Sequence, residues 1–424
     1  AGLLQPVPGK ARYGLEDITV IVPVRDRWEA LYKLLPALDG VARVIVVDDG
    51  STDGSGDVAE ALGATVVRRA SAGGPALARN AGLPLVRTPL VAMIDSDMRI
   101  EPGWQERLLP HFNDPTVAVV APRVVGDVAE RTDALARYEV ARSAQDLGTD
   151  PGYVRPGNRA SFLPAAFLVA RTEALIEIGG FDPELIVGED VDLVWRLGDA
   201  GWRVRYEPSS VVYHDARPSL PTFLRRRVDY GTSAAALHKR HPGKVAPIGI
   251  SRWSAAVWGS ALLGQPGIAA LIGGLSTVRL ASSLKGQVHD RWPAARLIAG
   301  RGYVGTARLL ASAVTRTWLP LAALSMWRIP NTRPALAAAL LVPPAVDWLE
   351  RRPPIGATAY TALHLADDAA YCAGVWLGCA RERTLGPLLP RLYRQAPILP
   401  EAGDPASPPT TEGPDATTTG RDSE

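Results

Sequence analysis

Three groups of carboxylates in this 424-residue chain have the chemistry to bind a metal ion or to accept a proton. They are Asp48-Asp49, Asp95-Ser96-Asp97 and Glu189-Asp190. Carboxylate oxygens are preferred ligands of Mg²⁺ and related divalent cations, and a positioned carboxylate is also a common general base. Together the three groups could stabilise a leaving diphosphate and deprotonate an attacking hydroxyl.

The pattern Asp95-Ser96-Asp97 is typical of sites that hold a metal-bound diphosphate. When a sugar–phosphate bond breaks, the diphosphate gains negative charge, and a divalent cation between its phosphates stabilises it. We expect Asp97 to face the metal, and Asp95 to face the ribose or a metal-bound water. In isolation the same pattern is more often a solvated loop, so the interpretation depends on the other motifs.

Donor binding is predicted at residues that follow the first two apolar runs. A carboxylate after the second run can accept hydrogen bonds from a pyrimidine imide and from ribose, although an Asp-Gly turn is the alternative for Asp48-Asp49. The chain lacks Gly-x-Gly-x-x-Gly and Walker-type sequences, which argues against dinucleotide cofactors and ATP hydrolysis. Phosphate binding is therefore assigned to the metal and Arg79. The candidate donor-binding residues are Pro23, Val24, Arg25, Asp48, Asp49, Arg79, Asp95 and Ser96.

A general base is predicted at Glu189-Asp190, which begin an amphipathic helical stretch. In-line attack by a hydroxyl with inversion needs one more carboxylate to accept the proton, and we assign this role to Asp190, with Glu189 beside it. Acidic residues here could instead be helix N-terminal charges, an alternative that suits Glu189 and Asp192. His214 ends a later apolar run and is a candidate metal ligand with Asp97 and Asp95, or a structural histidine.

These residues need a scaffold that brings distant segments together. Short apolar runs at 18–22, 43–47, 65–67 and 90–94 alternate with helical stretches, which predicts an α/β fold with a mostly parallel sheet. Ligands of such sheets bind at the carboxyl ends of the strands, so the carboxylate clusters should share one crevice.

The chain divides by composition into four predicted regions. Residues 1–17 form a flexible lead, 18–240 the α/β domain, 241–395 an Ala- and Leu-rich helical region, and 396–424 a disordered tail. Residues 253–278 carry no charge, but Gln265-Pro266-Gly267 interrupts them. They suit either a membrane-surface or re-entrant hairpin or a soluble helical subdomain.

Charge and cysteine content limit the partners and the compartment. The net charge of +2 indicates no nucleic-acid partner. Cys372 and Cys379 are the only cysteines, and they favour a reducing, cytoplasmic location, at the inner face of the membrane if the hairpin binds lipid. We interpret both as small residues packed on one helix face.

The ordered motifs resemble those of glycosyltransferase family 2. The resemblance covers about residues 18–240, and its motifs lie at 18–23, 47–53, 78–82, 95–97, 179–182 and 188–190. It implies a GT-A fold, a nucleotide-sugar donor, Mg²⁺ or Mn²⁺, and inversion at the anomeric carbon. It also implies Asp190 as the base, with Asp97 and His214 near the metal.

A narrower resemblance, to the glycosyltransferases of mycofactocin biosynthesis, reaches residue 392. It includes the segments 121–126, 154–157, 187–197, 225–235 and 367–376. This resemblance implies that the acceptor is a peptide-derived redox cofactor or its precursor and that the donor is UDP-glucose. The alternatives are a lipid or polysaccharide acceptor, or a catalytically silent scaffold that binds nucleotide sugar.

Arg225-Arg226-Arg227 form a basic cluster whose role the sequence leaves open. The arginines could contact donor phosphates, contact anionic lipid, or lie on a solvated helix face.

Overall fold

A computed structural model describes residues 9–127, 133–158, 160–215, 219–286 and 288–393, with Asp215 described by its backbone only. Within these ranges nine strands form one sheet. They are β1 Ile18–Val24, β2 Arg43–Asp48, β3 Thr65–Arg68, β4 Leu90–Ile94, β5 Met98–Ile100, β6 Val117–Asp127, β7 Gly152–Tyr153, β8 Phe167–Arg171 and β9 Arg203–Asp215. Two further strands, β10 Gly249–Ser251 and β11 Arg391–Tyr393, pair separately.

Eight helices accompany this sheet. They are α1 Trp28–Leu34, α2 Ser55–Ala61, α3 Pro75–Gly82, α4 Trp104–Leu108, α5 Ala134–Ala141, α6 Thr172–Glu177, α7 Glu189–Asp199 and α8 Leu220–Arg240. Of these, α1 ends at Leu34, and the chain continues as a 3₁₀ turn. The change falls beside Pro36, whose ring nitrogen cannot donate a helical hydrogen bond.

The sheet order is β3-β2-β1-β4-β8-β6-β9-β5, with β7 paired to β9. The βαβ alternation correctly predicts the parallel half, in which β1 lies between β2 and β4. Most of the paired residues lie in parallel ladders, as expected. The sheet is nevertheless mixed, because four of the eight pairings are antiparallel. These pairings involve β5, β7 and β8, whose partners lie far away in the sequence.

Two apolar layers cover the sheet. Ile21 of β1 packs in the layer that includes α3, α6 and α7, whereas its neighbours Val20 and Val22 pack with α1, α2 and α4. Successive strand residues point to opposite faces, so β1 is buried on both sides and its sequence is an almost unbroken apolar run. The predicted α/β class with helices on the sheet is confirmed.

The predicted C-terminal helical region is also present. Its helices are α9 Arg252–Leu262, α10 Pro266–Ser283, α11 Arg291–Arg316, α12 Leu319–Arg328, α13 Arg333–Arg351 and α14 Ala357–Glu382. No single helix in the described part of the chain has both the length and the apolar character to span a membrane. By length and composition only, α11 and α12 meet these criteria together, and they meet at a bend of 91°.

Helices α8 and α14 join the helical region to the sheet domain through glycines. A Cβ atom added to Gly374 would lie 2.0 Å from the carbonyl oxygen of Val228, and one added to Gly231 would lie 2.2 Å from that of Tyr371. Only glycine permits this approach. Cys372 and Cys379 are buried on α14, which confirms their interpretation as packed residues. The predicted tail at 396–424 and the first eight residues of the predicted lead lie outside the described residues.

Candidate active site

Hydrogen bonds join the loops after β1 and β2 at the carboxyl end of the sheet. The Asp26 amide donates to the Ser51 hydroxyl at 3.1 Å, and the Thr52 amide donates to the Asp26 carboxylate at 2.7 Å. Asp26 adopts a left-handed φ of 50°, which small polar side chains tolerate best. The two loops are therefore held together beside Pro23, Val24 and the exposed Arg25.

Asp48 and Asp49, at the start of the second loop, are both buried, but they have different hydrogen-bond partners. Asp48 accepts a hydrogen bond from the Ser51 amide at 2.8 Å, the contact expected of a turn. Asp49 forms an ion pair with Arg69 and accepts hydrogen bonds from the amides of Gly73 and Gly74. Asp49 thus positions the loop before α3, and base recognition stays a prediction for both carboxylates.

Asp97, the last residue of the Asp-x-Asp pattern, lies beside His214. Met98 of β5 pairs with His214 of β9, and this register places His214 Nε2 3.4 Å from Asp97 Oδ2. The Arg27 guanidinium also donates to Asp97 Oδ2, at 2.7 Å. Two of the three predicted metal ligands are therefore adjacent, although they come from distant parts of the chain.

The Asp97–His214 pair suits a divalent metal. It offers one carboxylate, a ligand of both Mg²⁺ and Mn²⁺, and one imidazole, which suits a transition metal such as Mn²⁺ better than Mg²⁺. Within the described ranges, no group of three or more His, Cys, Asp or Glu side chains could hold a metal by itself. Two protein ligands leave coordination positions for phosphate oxygens, and Arg27 is half exposed and could move aside. Asp95, the third predicted ligand, has a different partner.

Arg79 joins the Asp-x-Asp segment to the predicted base segment. Its guanidinium donates to Asp95 Oδ1 at 2.7 Å and to Glu189 Oε1 at 2.9 Å, and its side chain is only 3% exposed. Burial disfavours the charged guanidinium, but the two carboxylates outweigh burial and raise the pKa of Arg79. The phosphate contact predicted for Arg79 stays a prediction, because the side chain is buried and its two Nη atoms already bind carboxylates.

The three acidic residues at the start of α7 have separate environments. Glu189 pairs with Arg79, whereas Asp192 accepts hydrogen bonds from Arg196 and His241 at 2.7 and 2.8 Å, as a structural residue does. Asp190 has no ion pair among the described residues. The alternative of a helix-end charge therefore fits Asp192 better than it fits Asp190.

Asp190 has the proton affinity of a general base. Burial, and then the charge of Glu189, raise its pKa from 3.8 to about 7, while the amides of Val191 and Ala165 and the charge of Arg79 oppose the shift. A base with a pKa near neutral pH is both ionised and able to accept a proton. The role of Asp190 stays a prediction, and its position and pKa suit that role.

A backbone segment before β8 connects these groups, and no motif predicted its role. The Ala166 carbonyl accepts from the Asp95 amide at 2.8 Å, and the Ala165 carbonyl accepts from Arg79 at 3.3 Å. Sequence reasoning also missed Arg27 and Arg69, because an arginine near a carboxylate in space has no signature in sequence.

Replacement of Arg79 by Met is expected to destabilise the fold and to shift the pH profile. Asp95 and Glu189 would lose their buried counter-ion, which costs about 3–5 kcal/mol of unfolding free energy. Because the Arg79 charge lowers the pKa of Asp190, the acidic limb of the rate profile should move to higher pH. Chemical denaturation and pH–rate profiles measure both effects. Arg87→Met, at an exposed arginine, should change neither, and an unshifted profile in Arg79→Met would contradict the link to Asp190.

The chain is similar to known sugar-transferring proteins over much of its length. Residues 19–179 match the family Glycosyl transferase family 2. The chain is 40% identical over 388 residues to the pre-mycofactocin glycosyltransferase of Mycobacterium tuberculosis, a match that covers 89% of this chain and 82% of the relative.

Two further similarities are more distant. Succinoglycan biosynthesis protein ExoA of Rhizobium meliloti is 30% identical over 264 residues, or 55% of this chain and 78% of the relative. A solved structure of the mannosyltransferase PcManGT from Pyrobaculum calidifontis, in complex with GDP-Man and Mn²⁺, aligns with a TM-score of 0.40. Its identity is 20%, over 70% of this chain and 91% of that one.

Proposed function

This chain belongs to glycosyltransferase family 2, with the GT-A fold of that family, and we propose that it transfers glucose from UDP-glucose to mycofactocin or its precursor. The observation that carries the acceptor assignment is the 40% identity, which extends over the helical region as well as the sheet domain. The pre-mycofactocin acceptor is thus inferred from the relative. Glucose and UDP are inferred from the narrower resemblance in sequence.

In the proposed reaction, a hydroxyl of the acceptor attacks the anomeric carbon on the side opposite to the diphosphate. Asp190 accepts the hydroxyl proton, the new glycosidic bond forms, and the bond between C1 and the phosphate oxygen breaks, so the configuration inverts. A divalent metal, when held by Asp97 and His214, would neutralise charge on the departing UDP. Arg79 holds Glu189 and Asp95 in place and limits the rise in the pKa of Asp190.

Two alternatives share part of the proposed function. The same chemistry could act on a lipid or polysaccharide acceptor, or the chain could be a silent scaffold that binds nucleotide sugar. The competent residues at the donor, metal and base positions favour an enzyme over a scaffold.

Product analysis tests the acceptor. The purified chain would be incubated with Mg²⁺ or Mn²⁺, UDP-glucose and one acceptor at a time: premycofactocin, a lipid or an oligosaccharide. We expect a mass increase of one or more hexose units on premycofactocin alone. Transfer only to lipid or oligosaccharide would contradict the acceptor assignment, and neither transfer nor UDP-glucose hydrolysis with any metal would favour the scaffold.

We also propose that the hairpin of α9 and α10 binds the inner face of the cytoplasmic membrane. Leucines at its turn and along α10 are more than half exposed, namely Leu262, Leu263, Leu271 and Leu275. Residues 251–289 carry no acidic side chain, while Arg252, Arg279 and Lys285 are basic. An apolar surface with basic flanks is typical of elements that lie in the interface of an anionic bilayer.

Replacement of Leu263 by Asp is expected to weaken binding to vesicles of phosphatidylglycerol and phosphatidylcholine by about tenfold or more, since it removes an exposed leucine that would enter the bilayer and adds a charge. Co-sedimentation over a range of lipid concentrations measures the effect. Ile176→Asp, the same type of change at an exposed residue of α6, serves as the matched control. Equal vesicle binding by both variants and the unaltered chain would contradict the hairpin assignment.

A further inference from the structure

The three consecutive arginines of α8 have three different environments. Arg225 is exposed, and its side chain makes no hydrogen bond or ion pair with any residue that the structure describes. Arg227 is buried, with its Nε 3.0 Å from the Asp367 carboxylate of α14 and its guanidinium over the Phe223 ring. Arg227 thus connects the sheet domain to the helical region. Arg226 is exposed like Arg225 but differs from it in its contacts.

Arg226 lines a small open cavity beside the predicted metal ligands. The cavity has a volume of about 40 Å³ and is also lined by His214, Tyr230, Gln145 and Glu139. Arg226 stacks on Tyr230, with its Cζ 5.0 Å from the ring centroid. Since His214 also lies 3.4 Å from Asp97, the cavity adjoins the predicted metal site.

From this arrangement we propose that Arg226 binds the diphosphate of the nucleotide-sugar donor. The inference rests on the proposed function, because it needs a nucleotide diphosphate in the crevice. This contact from α8 would join a site otherwise built from the sheet, its loops and helices α3 and α7.

The chemistry of the cavity favours a phosphate over the acceptor. An arginine can donate two parallel hydrogen bonds to phosphate oxygens, which gives both charge and geometry. The reacting group of the acceptor is a neutral hydroxyl, and it should lie close to Asp190. Arg226 lines the same cavity as His214, on the metal side of the site, where negative charge grows on the leaving group.

Nucleotide binding to the full chain tests this role without the acceptor. Calorimetry with Mn²⁺ would compare UDP and uridine for the unaltered chain, for Arg226→Met and for the matched control Arg225→Met. We expect Arg226→Met to weaken UDP binding about 10- to 100-fold, as for a lost charged hydrogen bond. Uridine affinity should stay unchanged, and Arg225→Met should resemble the unaltered chain.

The outcomes separate this inference from the proposed function. If the unaltered chain binds UDP and Arg226→Met binds it equally well, the diphosphate role of Arg226 is overturned. Failure of the unaltered chain to bind UDP at all overturns the proposed function itself. Should Arg226→Met not fold, Arg226→Lys replaces it. That variant keeps the charge, and we expect weaker UDP binding because lysine lacks the paired donors. Unaltered UDP affinity in Arg226→Lys would then overturn the diphosphate role.

Discussion

Replacement of Asp190 by Asn should reduce the rate of transfer by about 10²- to 10⁴-fold, the usual contribution of a general base. The amide keeps the shape of the side chain but cannot accept the hydroxyl proton. UDP binding should be retained, because the proposed contacts to the diphosphate come from other residues. Single-turnover transfer assays and calorimetry with UDP measure the two quantities separately.

The pH dependence gives a second test of the same residue. Asp190 must be ionised to act as a base, so the raised pKa of about 7 predicts that transfer falls as the pH decreases below neutral. The raised pKa of Asp190 makes stability depend on pH in the opposite direction to activity. Between the unfolded value near 3.8 and about 7 the folded chain binds more protons, so the contribution of Asp190 to stability falls as pH rises. Asp190→Asn should therefore be at least as stable as the unaltered chain at pH 8.

Glu184→Gln provides a matched control, since Glu184 is an exposed carboxylate shortly before Asp190 in sequence. It should leave the transfer rate unchanged. Full turnover by Asp190→Asn, or a pH profile in the unaltered chain that is flat from pH 5 to 9, would contradict the base assignment.

Replacement of Asp97 by Asn should cost about 10³-fold in transfer, since a metal that stabilises a leaving group contributes several kcal/mol. Unlike the loss of activity in Asp190→Asn, this loss of activity should depend on the metal concentration. Affinity for Mn²⁺ in the presence of UDP should fall, and a higher metal concentration should restore part of the activity. Titrations of transfer against Mn²⁺ measure this dependence.

Asp57→Asn is the control for this change, because Asp57 is an exposed carboxylate on α2. It should show the metal dependence of the unaltered chain. His214→Ala should resemble Asp97→Asn in a weaker form. A normal metal titration in Asp97→Asn would remove Asp97 from the metal site.

Local sequence patterns predict the half of the fold in which neighbouring elements are also neighbours in sequence. The apolar runs of β1, β2 and β4 predict buried strands, and their order predicts that Asp48 and Asp95 lie at one edge. The antiparallel half is not predictable in this way. The pairing of β4 with β8 joins residues more than 70 positions apart, and nothing local specifies it.

The residues of the candidate site are likewise only partly predictable from local sequence. Residue type and position make Asp97, which follows a strand, and Asp190, which lies at the start of a helix, candidates from sequence alone. The register of β5 with β9 then brings His214 to Asp97. The arginines could not be assigned, because their roles depend on which carboxylate or cavity each side chain reaches. Arg79 was predicted at the phosphates but lies buried between Asp95 and Glu189.

The configuration of the product is the strongest test of a metal-dependent, inverting transfer with Asp190 as the base. Transfer from UDP-α-glucose to premycofactocin would be run to completion, and the anomeric configuration of the isolated product determined by proton NMR. We expect a β-linked glucoside that forms only with a divalent metal and with Asp190 present. An α-linked product, or a β-linked product formed at full rate by Asp190→Asn, would contradict this mechanism.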